Sequence, residues 1–214
     1  NIVFFLEKNG FSKGFYESLN CGLGSNDKKE NILKNLKFVS DKINCDKDFL
    51  ITLNQKHTNQ VIFFENKQSI KNKLTGDAIV SKVTNVGFGI LTADCAPILF
   101  YDPVKKIIGC AHSGWKGALN GIIQNTVKKF NELSSKNSDL VAVVGPCIGR
   151  KNYEVKNDLF KKFVDKNENK PTLDEKFQGD EEKEDIQEPD YYDDEDDFEK
   201  ASEEFEKNAH EYKE

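Results

Sequence analysis

Apolar positions in the chain follow two periods, and they mark out alternating strands and helices over residues 1–166. Residues 2–6 form a short apolar run of strand type, and residues 10–26 are rich enough in Gly, Ser and Asn to predict loops. Ile32, Leu36, Val39 and Ile43 then recur at helical spacing, with Ser25, Asn26 or Asp27 placed to accept the free amides of the first turn. Two strands follow at 49–53 and 61–64, joined by the polar connection 54–60. The runs 77–80, 87–91, 97–101 and 107–111 are apolar or β-branched and are bounded by Gly, Asp and Pro, which predicts the core of a sheet. Leu119, Ile122, Ile123, Val127, Phe130 and Leu133 give one apolar face to a single helix starting near Gly114. A strand at 140–144 and an amphipathic helix carrying Leu159, Phe160, Phe163 and Val164 complete the pattern. The expected architecture is α/β: mixed β-sheets flanked by helices in one layered domain over 1–166, with no internal repeat.

Past residue 167 the periodicity stops, and residues 167–214 read as an acidic tail. From Asp174 onward 20 acids face 5 lysines, whereas the rest of the chain holds 17 acids and 26 basic residues, so a net charge of −6 conceals a basic body and an acidic end. Residues 178–197 carry too little apolar area to offset their ordering entropy and are expected to be disordered. Phe198, Ala201, Phe205 and Ala209 are spaced for a short amphipathic helix, whose protein partner the sequence does not name. The basic body can attract phosphate or nucleotides, or can be an ordinary solvated surface. No ribonucleoprotein or helix-turn-helix pattern accompanies it, which argues against nucleic acid as a partner. No apolar run approaches the roughly 20 residues that span a bilayer, so no membrane partner is expected either. The five cysteines, scattered and odd in number, do not resemble a secreted disulfide framework, and the expectation is a cytoplasmic protein in a reducing compartment.

Chemistry concentrates in three short segments. Two of the three histidines stand in Gln55-Lys56-His57-Thr58-Asn59-Gln60-Val61 and in Cys110-Ala111-His112-Ser113-Gly114-Trp115, and Thr92-Ala93-Asp94-Cys95-Ala96-Pro97 falls between them. His57, Cys95 and His112 each lie near a predicted strand end, and strand ends at one edge of a sheet bring distant residues within reach of one ion. Two imidazoles and a thiolate suit zinc in an open, catalytic arrangement that leaves a fourth place for water. The plainer alternative is a pair of packing histidines and a small buried cysteine.

The wording of these segments resembles the YfiH-like laccase-domain family, also described as polyphenol oxidases or purine nucleoside phosphorylases. The matching stretches are Gly10-Phe11-Ser12 with Ser18-Leu19-Asn20, the Gln55 to Val61 segment, Gly76-Asp77-Ala78, Thr92-Ala93-Asp94-Cys95-Ala96-Pro97-Ile98-Leu99, Ala111-His112-Ser113-Gly114-Trp115-Lys116-Gly117, and Val144-Gly145-Pro146-Cys147-Ile148-Gly149 followed by Tyr153-Glu154-Val155. The resemblance implies that His57, Cys95 and His112 match the family's zinc ligands within an α/β fold of mixed sheets covered by helices. It also implies purine nucleosides and phosphate as substrates, split into base and ribose 1-phosphate, with adenosine deamination as a second activity. Asp77 and Asp94 are then the candidate catalytic carboxylates, either as proton donors or as groups that hold a ligand histidine in one tautomer. Asn20, Ser113 and the Gly114 amide are the candidate substrate contacts, the last two at a predicted helix start. Trp115 either stacks on a purine or packs in the core, and residues 145–149 form either a ligand-facing loop or a plain turn.

The chain also departs from the family. Where the family carries an arginine after the asparagine of its first helix, this chain reads Asn35-Leu36, and its acidic ending replaces a Ser-Tyr-Arg-rich one. Arg150 is the sole arginine, so anion binding falls to lysines and backbone amides, which are poorer at bidentate recognition. Copper is less favoured than zinc, because three histidines cannot furnish a multicopper cluster and the chain has no methionine for a weak axial ligand. Two rival functions remain: a hydrolase with Cys95 as nucleophile and His112 as base, or a relic of the family that binds without catalysing.

Overall fold

The computed structural model describes residues 3–5, 9–67, 74–149, 152–155 and 157–166. Its contacts divide the chain into two compact units, Asn1–Lys156 and Asn157–Glu214. The described part of the second unit is one helix, α4 (Asn157–Lys166), where the sequence predicts an amphipathic one. The acidic tail, its predicted disorder and helix, and Arg150 lie outside the described residues.

The first unit is built on a five-stranded mixed sheet in the order β2-β3-β6-β5-β7, comprising β2 (Val61–Phe64), β3 (Ala78–Ser81), β5 (Ala96–Asp102), β6 (Ile107–Ser113) and β7 (Val141–Val144). Strands β2 and β3 run parallel, and every other pairing is antiparallel. A second, two-stranded parallel sheet joins β1 (Leu50–Thr52) to β4 (Gly87–Gly89). Because successive side chains of a strand face opposite ways, the main sheet supplies two cores. Ala78, Val80, Ile98, Phe100, Ile107 and Ala111 point to one face and pack on Ile122 and Phe130 of helix α3 (Ile122–Glu132). Ile79 and Cys110 point to the other face and pack on Ile51 and Leu53 at the small sheet. This layered α/β arrangement matches the sequence expectation.

Three local expectations are corrected. Residues 3–5 of the predicted first strand join no ladder. The Phe4 ring instead lies so close to Gly145 that a Cβ there would sit 2.2 Å from it, so this segment gains burial by side-chain packing rather than by strand pairing. The predicted helix from Gly114 is two helices, α2 (Trp115–Leu119) and α3, because Gly121 takes φ +84 and turns the chain through the left-handed region between them. The first long helix, α1 (Lys29–Lys42), has Lys28 at its N-cap without a side-chain cap; Asp27 accepts the Lys28 amide at Oδ1, while its Oδ2 accepts from Ser12 Oγ and Asn20. Among the described residues no helix is long and apolar enough to cross a membrane, and all five cysteines are free thiols.

Candidate metal centre

The sheet topology gathers the predicted ligands at one end. Ala96 at the start of β5 pairs with Ser113 at the end of β6, and Pro97 pairs with His112, so Cys95 arrives beside His112. Ala78 at the start of β3 pairs with Ala111, which sets Asp77 next to His112; the His112 amide donates to the Asp77 carbonyl at 2.7 Å. Val61 at the start of β2 pairs with Ala78, so the connection carrying His57 comes back to the same end. One donor atom from each of His57, Cys95 and His112 lies within 4.8 Å of the others. The two imidazole rings meet edge to face with centroids 4.7 Å apart, and His57 Nε2 lies 3.9 Å from Cys95 Sγ.

Asp77 organises this group. It is fully buried, and its carboxylate accepts the amides of Lys56, His57 and Thr58, the Thr58 hydroxyl at 2.7 Å and His112 Nδ1 at 2.9 Å. Burial works against its ionisation, but the bonds from His112, Thr58 and Lys56 outweigh that and hold its pKa below the ordinary carboxylate value. An ionised carboxylate only accepts, so Nδ1 is the donor in this pair and Nε2 is the ring nitrogen of His112 left to face a ligand. The three converging amides also hold His57 at φ +57, a left-handed conformation that costs a non-glycine residue roughly 1 kcal/mol or more. Asp77 therefore ties the His57 connection to the His112 ring through one carboxylate.

The donor set fits a zinc ion. Bonds of about 2.0 Å to nitrogen and about 2.3 Å to sulfur at tetrahedral angles place the two donors about 3.5 Å apart. The 3.9 Å between His57 and Cys95 needs only a small closure, and a donor pair at the group's 4.8 Å limit must draw in by about 1 Å or more. Space is kept open by Gly114, where a Cβ would stand 2.8 Å from His57 Cδ2 and 3.0 Å from Cys95 Sγ. Burial first, then the charges of Asp94 and Asp77 and the neighbouring Cys147 thiol, push the Cys95 thiol above its ordinary pKa.

The remaining candidates are placed differently. Asp94 is exposed, and its carbonyl accepts the Ile148 amide at 3.0 Å. Ser113 and Gly114 precede a helix of five residues, too short to build the dipole and free-amide array of a long helix. Asn20 lines the same cavity as the three candidate ligands, but its amide is engaged within its own loop: it donates to Ser25 Oγ and Asp27 Oδ2 and accepts from the Gly22 amide. Trp115 is half-buried, with Lys116 Nζ 5.4 Å from its ring centroid. That cavity, of about 1250 Å³, runs from His57, Cys95 and His112 to an apolar wall that includes Val39, Ile43, Phe88 and Leu36. The position where an arginine was expected is therefore part of a hydrophobic surface.

Two buried or half-buried amides escaped the sequence reading. Asn35 is fully buried in α1 and ties down the loop that bears Asn20, accepting from the Phe11 amide and donating to Ser12 Oγ and to the Ser18 and Asn20 carbonyls. Gln55 clamps Leu91 through both its carbonyl and its amide. Both stand in stretches that carry the family resemblance, Asn35 beside Leu36 and Gln55 at the head of the His57 segment, but neither residue type by itself announces a structural clamp.

Residues 1–189 match the family model described as multi-copper polyphenol oxidoreductase laccase. The chain is 37% identical over 164 residues to the purine nucleoside phosphorylase YlmD of Bacillus subtilis, an alignment covering 72% of this chain and 59% of that protein. It is 36% identical over 146 residues to the purine nucleoside phosphorylase RC0672 of Rickettsia conorii, covering 66% of this chain and 59% of that one. The crystal structure of the Bacillus licheniformis hypothetical protein YfiH superposes with a TM-score of 0.70 at 28% identity, covering 80% of this chain and 66% of that one. The chain thus spans about three fifths of the length of the curated relatives it matches. Layered α/β fold, His-Cys-His group and sequence match together make this chain a member of the YfiH-type, laccase-like family.

Proposed function

We propose that the chain is a zinc-dependent purine nucleoside phosphorylase, with adenosine deamination as a second activity. The observation that carries this reading is the convergence of His57, Cys95 and His112 beside a cavity large enough for a nucleoside. Relatives named purine nucleoside phosphorylase support the substrate class. Bound zinc would supply Lewis-acid chemistry and a lowered pKa for water. His57 Nε2, Cys95 Sγ and His112 Nε2 would hold it, and Asp77 keeps both histidines oriented. The apolar wall formed by Leu36, Val39 and Phe88 excludes water from the face of a base, and phosphate recognition falls to lysines and backbone amides because Leu36 offers no charge.

A thiol-nucleophile hydrolase is disfavoured by the environment of Cys95. Burial and two neighbouring carboxylates raise its pKa, whereas a nucleophilic cysteine needs it lowered. The deciding experiment incubates zinc-loaded protein with adenosine or inosine, with and without phosphate, and separates the products by chromatography. Free base that appears only with phosphate, inosine formed from adenosine without it, and loss of both in Cys95→Ser are the expected results. Neither product at high protein concentration would end the catalytic reading in favour of a family member that only binds.

A further inference from the structure

Strands β5 and β7 pair in antiparallel register, Tyr101 with Val141, Phe100 with Ala142, Leu99 with Val143 and Ile98 with Val144. The two segments stay side by side past the strand ends. The Gly145 amide donates to the Pro97 carbonyl at 2.8 Å and the Ile148 amide to the Asp94 carbonyl at 3.0 Å, three residues on rather than the two of a regular ladder, so strand pairing ends here while the two bonds bracket Cys147 and Cys95. A disulfide requires Cα atoms about 4.4–6.8 Å apart, a span that neighbouring segments tied by such bonds commonly offer. Cys147 is exposed and Cys95 half-buried, whereas Cys110 and Cys21 are buried.

We propose that Cys147 and Cys95 form a hydroperoxide-sensitive pair whose disulfide withdraws the sulfur donor from the His57, Cys95 and His112 group. A hydroperoxide first transfers one oxygen to the exposed Cys147 sulfur, giving a sulfenic acid and the corresponding alcohol, or water from hydrogen peroxide. The Cys95 sulfur then attacks the Cys147 sulfur. The S–O bond breaks, and the hydroxyl leaves as water with the Cys95 thiol proton. Two electrons pass from the two thiols to the peroxide, whose O–O bond is broken. Two imidazoles alone remain for the metal, and an ion already held by Cys95 shields that sulfur from the second step. This consequence rests on the metal reading above; the disulfide itself does not.

The test oxidises the metal-free full chain with a small excess of hydrogen peroxide, alkylates the remaining thiols and maps the digest without reduction. A peptide linking Cys95 to Cys147 is expected, two hydrogens lighter than its parts and released by a dithiol. Zinc uptake, read by competition with a chelating dye, is expected to fall at least tenfold in step with the linkage and to return on reduction. Zinc bound beforehand should slow the linkage. Cys147→Ser should bind zinc normally before oxidation, form no linked peptide, and keep its zinc uptake under the same peroxide dose. Absence of the 95–147 peptide, or a main product joining Cys95 to Cys21, Cys45 or Cys110, overturns the proposal. A 95–147 linkage in a protein that never takes up zinc keeps the thiol pair and rejects the metal reading.

Discussion

Gly114 offers the sharpest separation of site from fold. Its backbone, at φ −73 and ψ 165, suits any residue, so replacement by alanine tests space alone. The added Cβ would lie 2.8 Å from His57 Cδ2 and 3.0 Å from Cys95 Sγ. Carbon atoms in ordinary contact stay about 3.5–4.0 Å apart, so the His57 ring must retreat by about 0.7 Å or more. Overpacking a closed core costs about 1–3 kcal/mol, but His57 is exposed and its ring can swing outward. We therefore expect Gly114→Ala to cost under about 1 kcal/mol of folding stability in the metal-free protein. Metal binding has no such escape, because donors must be held within about 0.5 Å of the productive geometry. A fall in zinc affinity of about 10–100-fold is expected, equivalent to about 1.4–2.8 kcal/mol. Chelator competition gives the affinity, and thermal denaturation with and without metal gives the stability. Gly149→Ala, where a Cβ meets nothing within 4 Å, is the matched control and should change neither. Unaltered zinc affinity in Gly114→Ala would refute the reasoning, as would equal losses in both variants.

Three further outcomes are expected. Asp77→Asn removes acceptor capacity from a buried carboxylate that binds His112 and three amides, so zinc affinity should fall about 10–100-fold. Because the folded pKa of Asp77 is lowered, its stabilising contribution is complete above the unfolded value near 3.8 and is lost as pH falls through the folded value. Urea midpoints of wild type and Asp77→Asn should accordingly differ at pH 6 and converge in strong acid. Gly121→Ala forces a side chain into φ +84 between α2 and α3 and should cost about 1 kcal/mol, a lowering of Tm by about 2–4 °C in a calorimetric scan. Burial pushes the Cys110 thiol up to about 12 and Cys21 up to about 11, so both should resist alkylation at pH 8 in the native protein while Cys147 reacts promptly.

Local pattern was enough to locate most of the strands and the layered α/β class, because short apolar or β-branched runs bounded by Gly, Asp and Pro, as at β3, β5 and β6, suit buried strands, while which residue faces which core was left to the fold. It also singled out His57, Cys95 and His112, since two imidazoles and a sulfur at strand ends carry their chemistry in their residue types. Folding decided what depends on register and backbone angle. One carboxylate, Asp77, gathers three amides and a histidine because β3 starts where β6 ends. Gly121 splits one apolar helical stripe in two, although the stripe continues across it. Cys147 comes beside Cys95 only because hydrogen bonds beyond β5 and β7 bracket the two, a meeting of residues 52 positions apart to which no local preference speaks. Periodicity is a property of neighbours along the chain, whereas a site is a property of neighbours in space, and strand order alone connects the two.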